Sequence, residues 1–128
     1  MRIALLIALP MFLAGATQTG GPPTTAIDVR LSNFRFTPNV IRLTHGQVYV
    51  LRFANDAGGG HDFFAKEFFA AASLDTRTRK IVAKGGVEIT GDGTVEMRLI
   101  APGPGRYKVK CTHFLHAGFG MKGEIVVD

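Results

Sequence analysis

The chain has 128 residues, of which 46% are hydrophobic and 20% charged, a balance that fits one globular domain and excludes a disordered chain. Fifteen Lys and Arg residues against ten Asp and Glu residues give a formal net charge of +5. The excess is modest, and no aromatic residues alternate with the basic ones as in DNA- or RNA-reading motifs, so we expect no nucleic-acid partner. Solvated faces, or docking to an acidic protein, explain such a charge better.

The N-terminus has the pattern of an export signal. Arg2 precedes an apolar run over residues 3–13, and Ala14-Gly15-Ala16 has the small residues of a cleavage site. The run is shorter than the roughly 20 residues of a membrane-spanning helix, so we expect no stable membrane insertion. The alternative is a buried N-terminal strand or helix. The predicted organisation is a signal peptide over residues 1–16, a flexible leader over residues 17–25 and a periplasmic domain over residues 26–128.

Alternating apolar residues predict most of the domain as strands. Ile27, Val29 and Leu31 have the period of two that is typical of a half-buried strand, and this strand is predicted over residues 26–36. Glycine- and proline-containing turns separate the segments that follow. Further strands are predicted over residues 39–43, 48–53, 94–100, 107–111 and 123–127, with a weaker pattern over residues 80–89.

One stretch changes from strand to helical periodicity. Phe64, Phe68 and Ala71 or Ala72 recur at helical spacing, and Asp62 is a candidate cap. We predict a short helix or helical loop over residues 64–74. The sum of seven or eight short strands predicts an all-β fold, an antiparallel Greek-key β-sandwich with a short helical insertion.

Cys111 is the only cysteine of the chain. Exported proteins usually pair their cysteines, so an odd thiol suggests an intermolecular disulfide, a reactive thiol or a metal ligand. The period of two places Cys111 on the same strand face as Tyr107 and Val109. The thiol is therefore expected to start from the core side of the sheet.

Two further metal-binding side chains follow in the order Cys-x4-His-x4-Met, namely His116 and Met121, and His61 follows a glycine-rich stretch. Taken singly, each is more often a buried or hydrogen-bonded residue than a ligand. Thiolate, imidazole and thioether together suit copper, and two His, one Cys and a weak axial Met form electron-transfer copper sites. The predicted metal ligands are His61, Cys111, His116 and Met121.

Two segments carry a family resemblance. Residues 55–61 (NDAGGGH) resemble the loop that leads to the first ligand of cupredoxins, and residues 116–127 (HAGFGMKGEIVV) resemble the second His, the Met turn and the closing strand. The chain thus resembles a cupredoxin, most closely a plastocyanin-like one, over nearly all of the mature sequence. The resemblance implies a cupredoxin-like sandwich that binds one type 1 copper ion.

The resemblance also implies roles around the metal. The backbone N–H of Asp62 would approach the Cys111 sulfur, and its side chain would tie the His61 loop to Thr112. The edge of His116 would face an apolar surface patch that serves for docking. The residues expected to line this patch are Phe114, Leu115, Ala117 and Phe119.

Some positions depart from the family pattern. The Cys-to-His loop has four residues, as in phytocyanins and azurins, whereas plastocyanins have two. Leu115 stands where a Pro often precedes the second His, Asp62 stands where many members have Asn, and Lys110 stands where an aromatic often precedes the Cys. His113 is an extra imidazole, either an exposed loop residue or an auxiliary copper ligand.

Of four functions considered, a one-electron carrier with a protein redox partner is preferred. The alternative is copper delivery, storage or tolerance, with a copper donor or acceptor as partner. An enzyme would need a second copper cluster, for which only His45 and His113 remain, and a metal-free adhesion sandwich would leave the ligand pattern unexplained. We therefore predict a monomer without enzymatic activity.

Overall fold

Ten strands and two short helices make up the part of the chain that the computed structural model describes, Gly15 and residues 20–128. The predicted signal peptide, apart from Gly15, and the cleavage site lie outside the described residues. The elements are β1 (Thr24–Ser32), β2 (Arg35–Thr37), β3 (Val40–Leu43), β4 (Val48–Asn55), β5 (His61–Phe64), α1 (Lys66–Ala71), β6 (Ser73–Leu74), α2 (Thr76–Ile81), β7 (Gly86–Ile89), β8 (Thr94–Ile100), β9 (Gly105–Lys110) and β10 (Lys122–Val127).

The strands form two five-stranded sheets, which confirms the predicted β-sandwich. The first sheet has the order β2-β1-β4-β8-β6 and the second the order β3-β10-β9-β5-β7. Two pairs, β1 with β4 and β3 with β10, run parallel, so the sheets are mixed and not purely antiparallel as predicted. Every connection from β2 to β9 changes sheet, and strands that are not joined by a hairpin can pair in either direction.

The first predicted strand is two strands. A turn at Asn33 and Phe34, where Phe34 has a φ of 62°, separates β1 from β2. The two strands then pair antiparallel with each other. At its other end β1 begins inside the segment treated as a leader, because Thr24 and Thr25 pair with Val48 and Tyr49 of β4.

The helical prediction for residues 64–74 is only partly right. Phe64 and Asp62 belong to β5, and α1 begins after Ala65, which makes no side-chain cap. The half-buried Phe64 lies in β5 with the ammonium of Lys110 over its ring, whereas Phe68 is a buried residue of α1, so their helical spacing joins residues of a strand and a separate helix. The second helix, α2, was not predicted, although Asp75 caps it by accepting a hydrogen bond from the backbone N–H of Thr78.

The inner faces of the two sheets pack through aromatic rings. Phe63 of the second sheet contacts Phe36 and Phe53 of the first, with ring centroids 5.5 and 4.8 Å apart. In the second sheet β5 pairs antiparallel with β9, with Phe64 opposite Lys110. The start of β5 therefore lies beside the residues that follow β9, and this end of the sandwich holds both His61 and Cys111.

Candidate metal centre

Three of the predicted ligands converge at this end of the sandwich. The Nδ1 atoms of His61 and His116 are 3.0 Å apart, and the Sγ of Cys111 lies 3.8 and 3.4 Å from them. Metal–nitrogen and metal–sulfur bonds of about 2.0–2.3 Å place two donors of one ion roughly 3–4 Å apart. His61 and Cys111 are buried and His116 is half-buried, so the three donors have the spacing and shielding of a metal site.

Asn55 fixes the loop that delivers His61. Its buried side-chain amide donates to the carbonyl oxygens of Gly59, Ile89 and Thr90 at 2.9–3.1 Å, and its oxygen accepts from the N–H of Ala57. One side chain thus satisfies backbone groups on both the loop and the β7–β8 turn. The loop is held against the neighbouring turn before the chain enters β5 at His61.

The same loop needs a glycine at the turn it touches. A Cβ atom on Gly91 would lie 2.0 Å from the carbonyl oxygen of Gly58, a distance that no side chain can adopt. The Asp92 N–H also donates to the carbonyl of Ala57 at 3.0 Å. Close backbone packing therefore holds the loop against the same turn that Asn55 contacts.

The loop after β9 returns the chain to Cys111 through tight turns. The N–H of Met121 donates to the carbonyl of His116 at 3.0 Å, and the N–H of Cys111 donates to the carbonyl of Met121 at 3.1 Å. The Met121 side chain is fully buried. The backbone of the fourth predicted ligand therefore lies next to the other two ligands of this loop.

The backbone conformation of Leu115 explains why no proline precedes His116, one of the departures from the family pattern. It has a φ of 62°, in the left-handed region, whereas the ring of a proline holds φ near −65°. A proline before His116 is thus incompatible with this loop conformation. The four-residue loop between Cys111 and His116 therefore adopts a backbone conformation in which the residue before His116 cannot be proline.

Asp62 ties the two ligand loops together, which confirms the role inferred from the resemblance. Its carboxylate accepts from the backbone N–H of Thr112 at 2.5 Å and from the Thr112 hydroxyl. Asp62 follows His61 and Thr112 follows Cys111, so the contact fixes the two ligands relative to each other. Hydrogen bonds to a carboxylate are among the stronger ones.

His113 lies against the cluster but makes its polar contact away from it. Its ring is stacked on that of His116, with centroids 5.4 Å apart and an interplanar angle of 23°. Its Nε2 is 3.0 Å from the carboxylate of Glu88 on β7. Glu88 was not singled out from the sequence, because only the pairing of β5 with β7 brings it to this loop.

An apolar patch surrounds the partly exposed His116. Phe114, Leu115 and Phe119 are 87%, 54% and 63% exposed, as expected, whereas Ala117 is half-buried. Phe34 also belongs to the patch, since its ring meets His116 edge-on at 5.2 Å and Phe119 at 5.0 Å. Phe34 was missed because the sequence placed it inside a strand over residues 26–36, whereas it lies in the turn between β1 and β2.

Two members of the cluster, Cys111 and His61, disfavour charge when no cation is bound. Burial raises the pKa of the Cys111 thiol, an effect that hydrogen bonds from the backbone of Asp62 and His113 offset in part. Burial also lowers the pKa of His61, and the neighbouring His116 and His113 lower it further. A bound cation stabilises the thiolate and takes the place of the thiol proton, and this donor set of one sulfur and two imidazoles suits copper.

Comparison with known sequences points to the same chemistry. Residues 23–128 match the profile of the family described as copper binding proteins, plastocyanin/azurin family. This range covers all the strands and every predicted ligand. None of the curated proteins matches the sequence at a significant level.

Solved structures share the fold at low sequence identity. Auracyanin A, a "blue" copper protein from Chloroflexus aurantiacus, is 19% identical with a TM-score of 0.61, over 83% of this chain and 100% of that chain. The reduced auracyanin of Roseiflexus castenholzii is 20% identical with a TM-score of 0.61, over 84% and 99%. The multicopper oxidase mgLAC is 15% identical with a TM-score of 0.62, over 83% of this chain and 39% of that chain.

Proposed function

Because the chain belongs to the plastocyanin/azurin family of copper-binding proteins, we propose that it is a one-electron carrier with one type 1 copper ion. The observation that carries the proposal is the convergence of two imidazole Nδ1 atoms and the Cys111 sulfur at one buried point. Such a donor set with a weak axial Met is that of blue-copper electron-transfer sites. The proposed ligands are His61, Cys111, His116 and Met121.

Copper supplies the one-electron step between Cu(I) and Cu(II), and the chain supplies a site that changes little between the two states. Asn55 and the Asp62–Thr112 contact hold the ligand loops by hydrogen bonds that do not depend on the metal. The donors are therefore fixed in advance, which keeps rearrangement small. His116 is the ligand that reaches the surface, at the apolar patch, where a protein redox partner would dock on the monomer.

Titration of the purified protein with Cu(II) tests this function. We expect an intense visible charge-transfer band, an EPR spectrum of a thiolate-bound copper, and a reversible one-electron wave in voltammetry. A weak absorption without thiolate character would contradict the proposal. Copper delivery, the alternative function, predicts ready transfer of copper to a chelator, whereas the electron carrier should lose it slowly.

We propose no enzymatic activity. The two histidines outside the ligand set are engaged elsewhere: the Nδ1 of His45 is 2.9 Å from the carbonyl oxygen of Pro102, and His113 contacts Glu88. The likeness to the multicopper oxidase extends over 39% of that chain. A second copper cluster therefore finds no ready ligands among the described residues.

Met121 should tune the copper and not create its site. We expect Met121→Leu to keep the visible band and raise the reduction potential, because loss of an axial donor destabilises Cu(II) more than Cu(I). Met121→Gln should lower the potential, because an amide oxygen is a harder donor. Voltammetry of the two variants checks this. Since Leu and Met have similar volumes, unchanged potentials in both variants would remove Met121 from the ligand set.

Export to the periplasm remains a proposal from the N-terminal sequence. Among the residues that the structure describes, no helix is long and apolar enough to cross a bilayer. Mass spectrometry of the exported protein should find an N-terminus near Thr17, since cleavage is expected after Ala16. An intact Met1 in the periplasmic fraction would count against a cleaved signal.

A further inference from the structure

Asp62 brings a carboxylate to a position where many members of the family have the amide of Asn. It directly follows His61, and it accepts a hydrogen bond from the N–H of the peptide bond that joins Cys111 to Thr112. The carboxylate is therefore next to one proposed ligand in the chain and bonded to the peptide group of another. An amide makes the same two contacts, because its oxygen accepts and its nitrogen donates. The tie between the ligand loops thus does not require a charge.

The contacts of Asp62 suit the charged form of its side chain. Oδ1 accepts from the Thr112 N–H at 2.5 Å, and Oδ2 accepts from the Thr112 hydroxyl. An ionised carboxylate has acceptors only, so both oxygens are used as that form requires. Within residues 20–128, no Lys or Arg forms an ion pair with Asp62. The ammonium of Lys110 lies instead over the ring of Phe64, 5.6 Å from its centroid.

The negative charge acts on two of the proposed ligands. Burial raises the pKa of the Cys111 thiol, and the charge of Asp62 also raises it. Burial lowers the pKa of His61, and the carboxylates of Glu88 and Asp62 oppose that shift. Both effects have the sign of a negative potential at the donor atoms, because such a potential favours a bound proton. A metal ion held by these donors experiences the same potential.

A second carboxylate contributes to this potential in a different way. Glu88 stands opposite Asp62 in the pairing of β5 with β7. Its side chain is 52% exposed, and its Oε2 is 3.0 Å from the Nε2 of His113. Solvent and salt screen an exposed charge more than a half-buried one, and Asp62 is half-buried. Of the two carboxylates, only Asp62 is bonded to the peptide group of a proposed ligand.

A negative potential distinguishes the oxidation states of a bound metal. Its Coulomb energy is proportional to the charge of the ion, so a divalent ion gains about twice as much as a monovalent one. Cu(II) is thereby stabilised relative to Cu(I). A neutral amide at the same position supplies no such net charge.

We propose that the Asp62 carboxylate makes the metal centre select divalent over monovalent copper and so lowers its reduction potential. The proposal rests on the proposed electron-carrier function and adds the residue that sets the driving force of the carrier. With this carboxylate, the reduced protein gives up its electron more readily than it would with an amide at position 62. Asp62 is thus a tuning residue in addition to a tie between the loops.

Asp62→Asn tests the charge, since it keeps both contacts with Thr112. Zn(II) and Ag(I) serve as redox-inert probes of the two ionic charges, and competition with chelators measures their affinities for the protein. The ratio of Zn(II) affinity to Ag(I) affinity should fall about tenfold in the variant. In the copper-loaded protein, the same change in the ratio of Cu(II) to Cu(I) affinity raises the reduction potential by about 59 mV, which voltammetry measures.

Two control variants separate the local charge from other effects. Glu96→Gln removes one negative charge from an exposed position on the first sheet, where screening weakens its effect on the metal. Thr112→Val keeps the carboxylate but removes the hydroxyl contact, so the affinities for both ions should fall together. In each control the ratio should stay within about twofold of the wild type.

The affinity ratio decides whether the charge of Asp62 matters. An unchanged ratio in Asp62→Asn, with or without equal weakening of both ions, would overturn the proposal and leave Asp62 only a tie between the loops. An equal shift in Glu96→Gln would assign the effect to net charge and overturn it as well. If thermal unfolding shows that metal-free Asp62→Asn is not folded, Asp62→Ser removes the same charge and should shift the ratio in the same direction; an unshifted ratio there would also overturn the proposal.

The visible spectrum of the copper-loaded wild type separates the two proposals. A wild-type protein with no blue band would refute the electron-carrier function. The ratio of Zn(II) to Ag(I) affinity would still decide the role of the Asp62 charge, because neither probe ion changes its oxidation state. A blue wild type with an unchanged ratio in Asp62→Asn would keep the electron carrier and refute the tuning by Asp62.

Discussion

Cys111→Ser should abolish the intense visible band of the copper-loaded protein. The band requires a thiolate donor, and a serine hydroxyl stays protonated and gives no comparable charge transfer. The change is nearly isosteric at a fully buried position, so the sandwich should keep its fold. Visible absorption after addition of Cu(II) measures the effect, and a variant that remains blue would show that Cys111 is not the ligand.

Unfolding of the metal-free variant supplies the control for that experiment. Serine leaves a buried hydroxyl, which costs roughly 1–3 kcal/mol if it finds no partner. A cooperative thermal transition at a modestly lower temperature would show that the fold persists. Loss of colour in a folded variant can then be assigned to the missing sulfur.

His116→Ala should collapse the copper spectrum, whereas His113→Ala should leave it nearly unchanged. The Nδ1 of His116 is 3.4 Å from the Cys111 sulfur, while the Nε2 of His113 is held by Glu88. Removing His113 takes away a ring stacked on His116, so a small shift of the band is expected. Visible and EPR spectra of the two variants provide the measurement.

The two histidines form a matched pair, because both belong to the same loop and lie within 5.4 Å of each other. General damage to the loop would affect both variants alike. The opposite pattern, with His113→Ala colourless and His116→Ala blue, would replace the proposed site by a Cys-x-His site. Equal loss in both would make His113 an auxiliary ligand only if both metal-free variants unfold as cooperatively as the wild type, which excludes damage to the loop.

Local patterns predicted much of this protein. The alternation of the apolar residues Val95, Met97 and Leu99 predicts a strand over residues 94–100, and β8 has these same bounds, Thr94–Ile100. The sandwich and the family are confirmed, and the strand period placed Cys111 on the buried side. These features depend on residues close together in the sequence, which is why periodicity and spacing suffice to predict them.

Features that depend on distant pairing were missed. The parallel pairing of β1 with β4 follows from connections that change sheet, which no local pattern encodes. Glu88 reaches His113, and Phe34 reaches His116, only because the fold brings separate turns together. The extended helical prediction failed because Phe64 belongs to β5 and Phe68 to α1, so their spacing is not the repeat of one helix.

The short loop from Cys111 to Met121 has a consequence for the unfolded state. Three of the four proposed ligands lie within residues 111–121, so an unfolded chain still offers a partial copper site. A ligand stabilises a fold only by the difference between its affinities for the folded and unfolded chains. That difference comes chiefly from His61, which is near Cys111 only when β5 and β9 are side by side. Copper therefore stabilises the pairing of these two strands more than it stabilises the loop that carries most of its ligands.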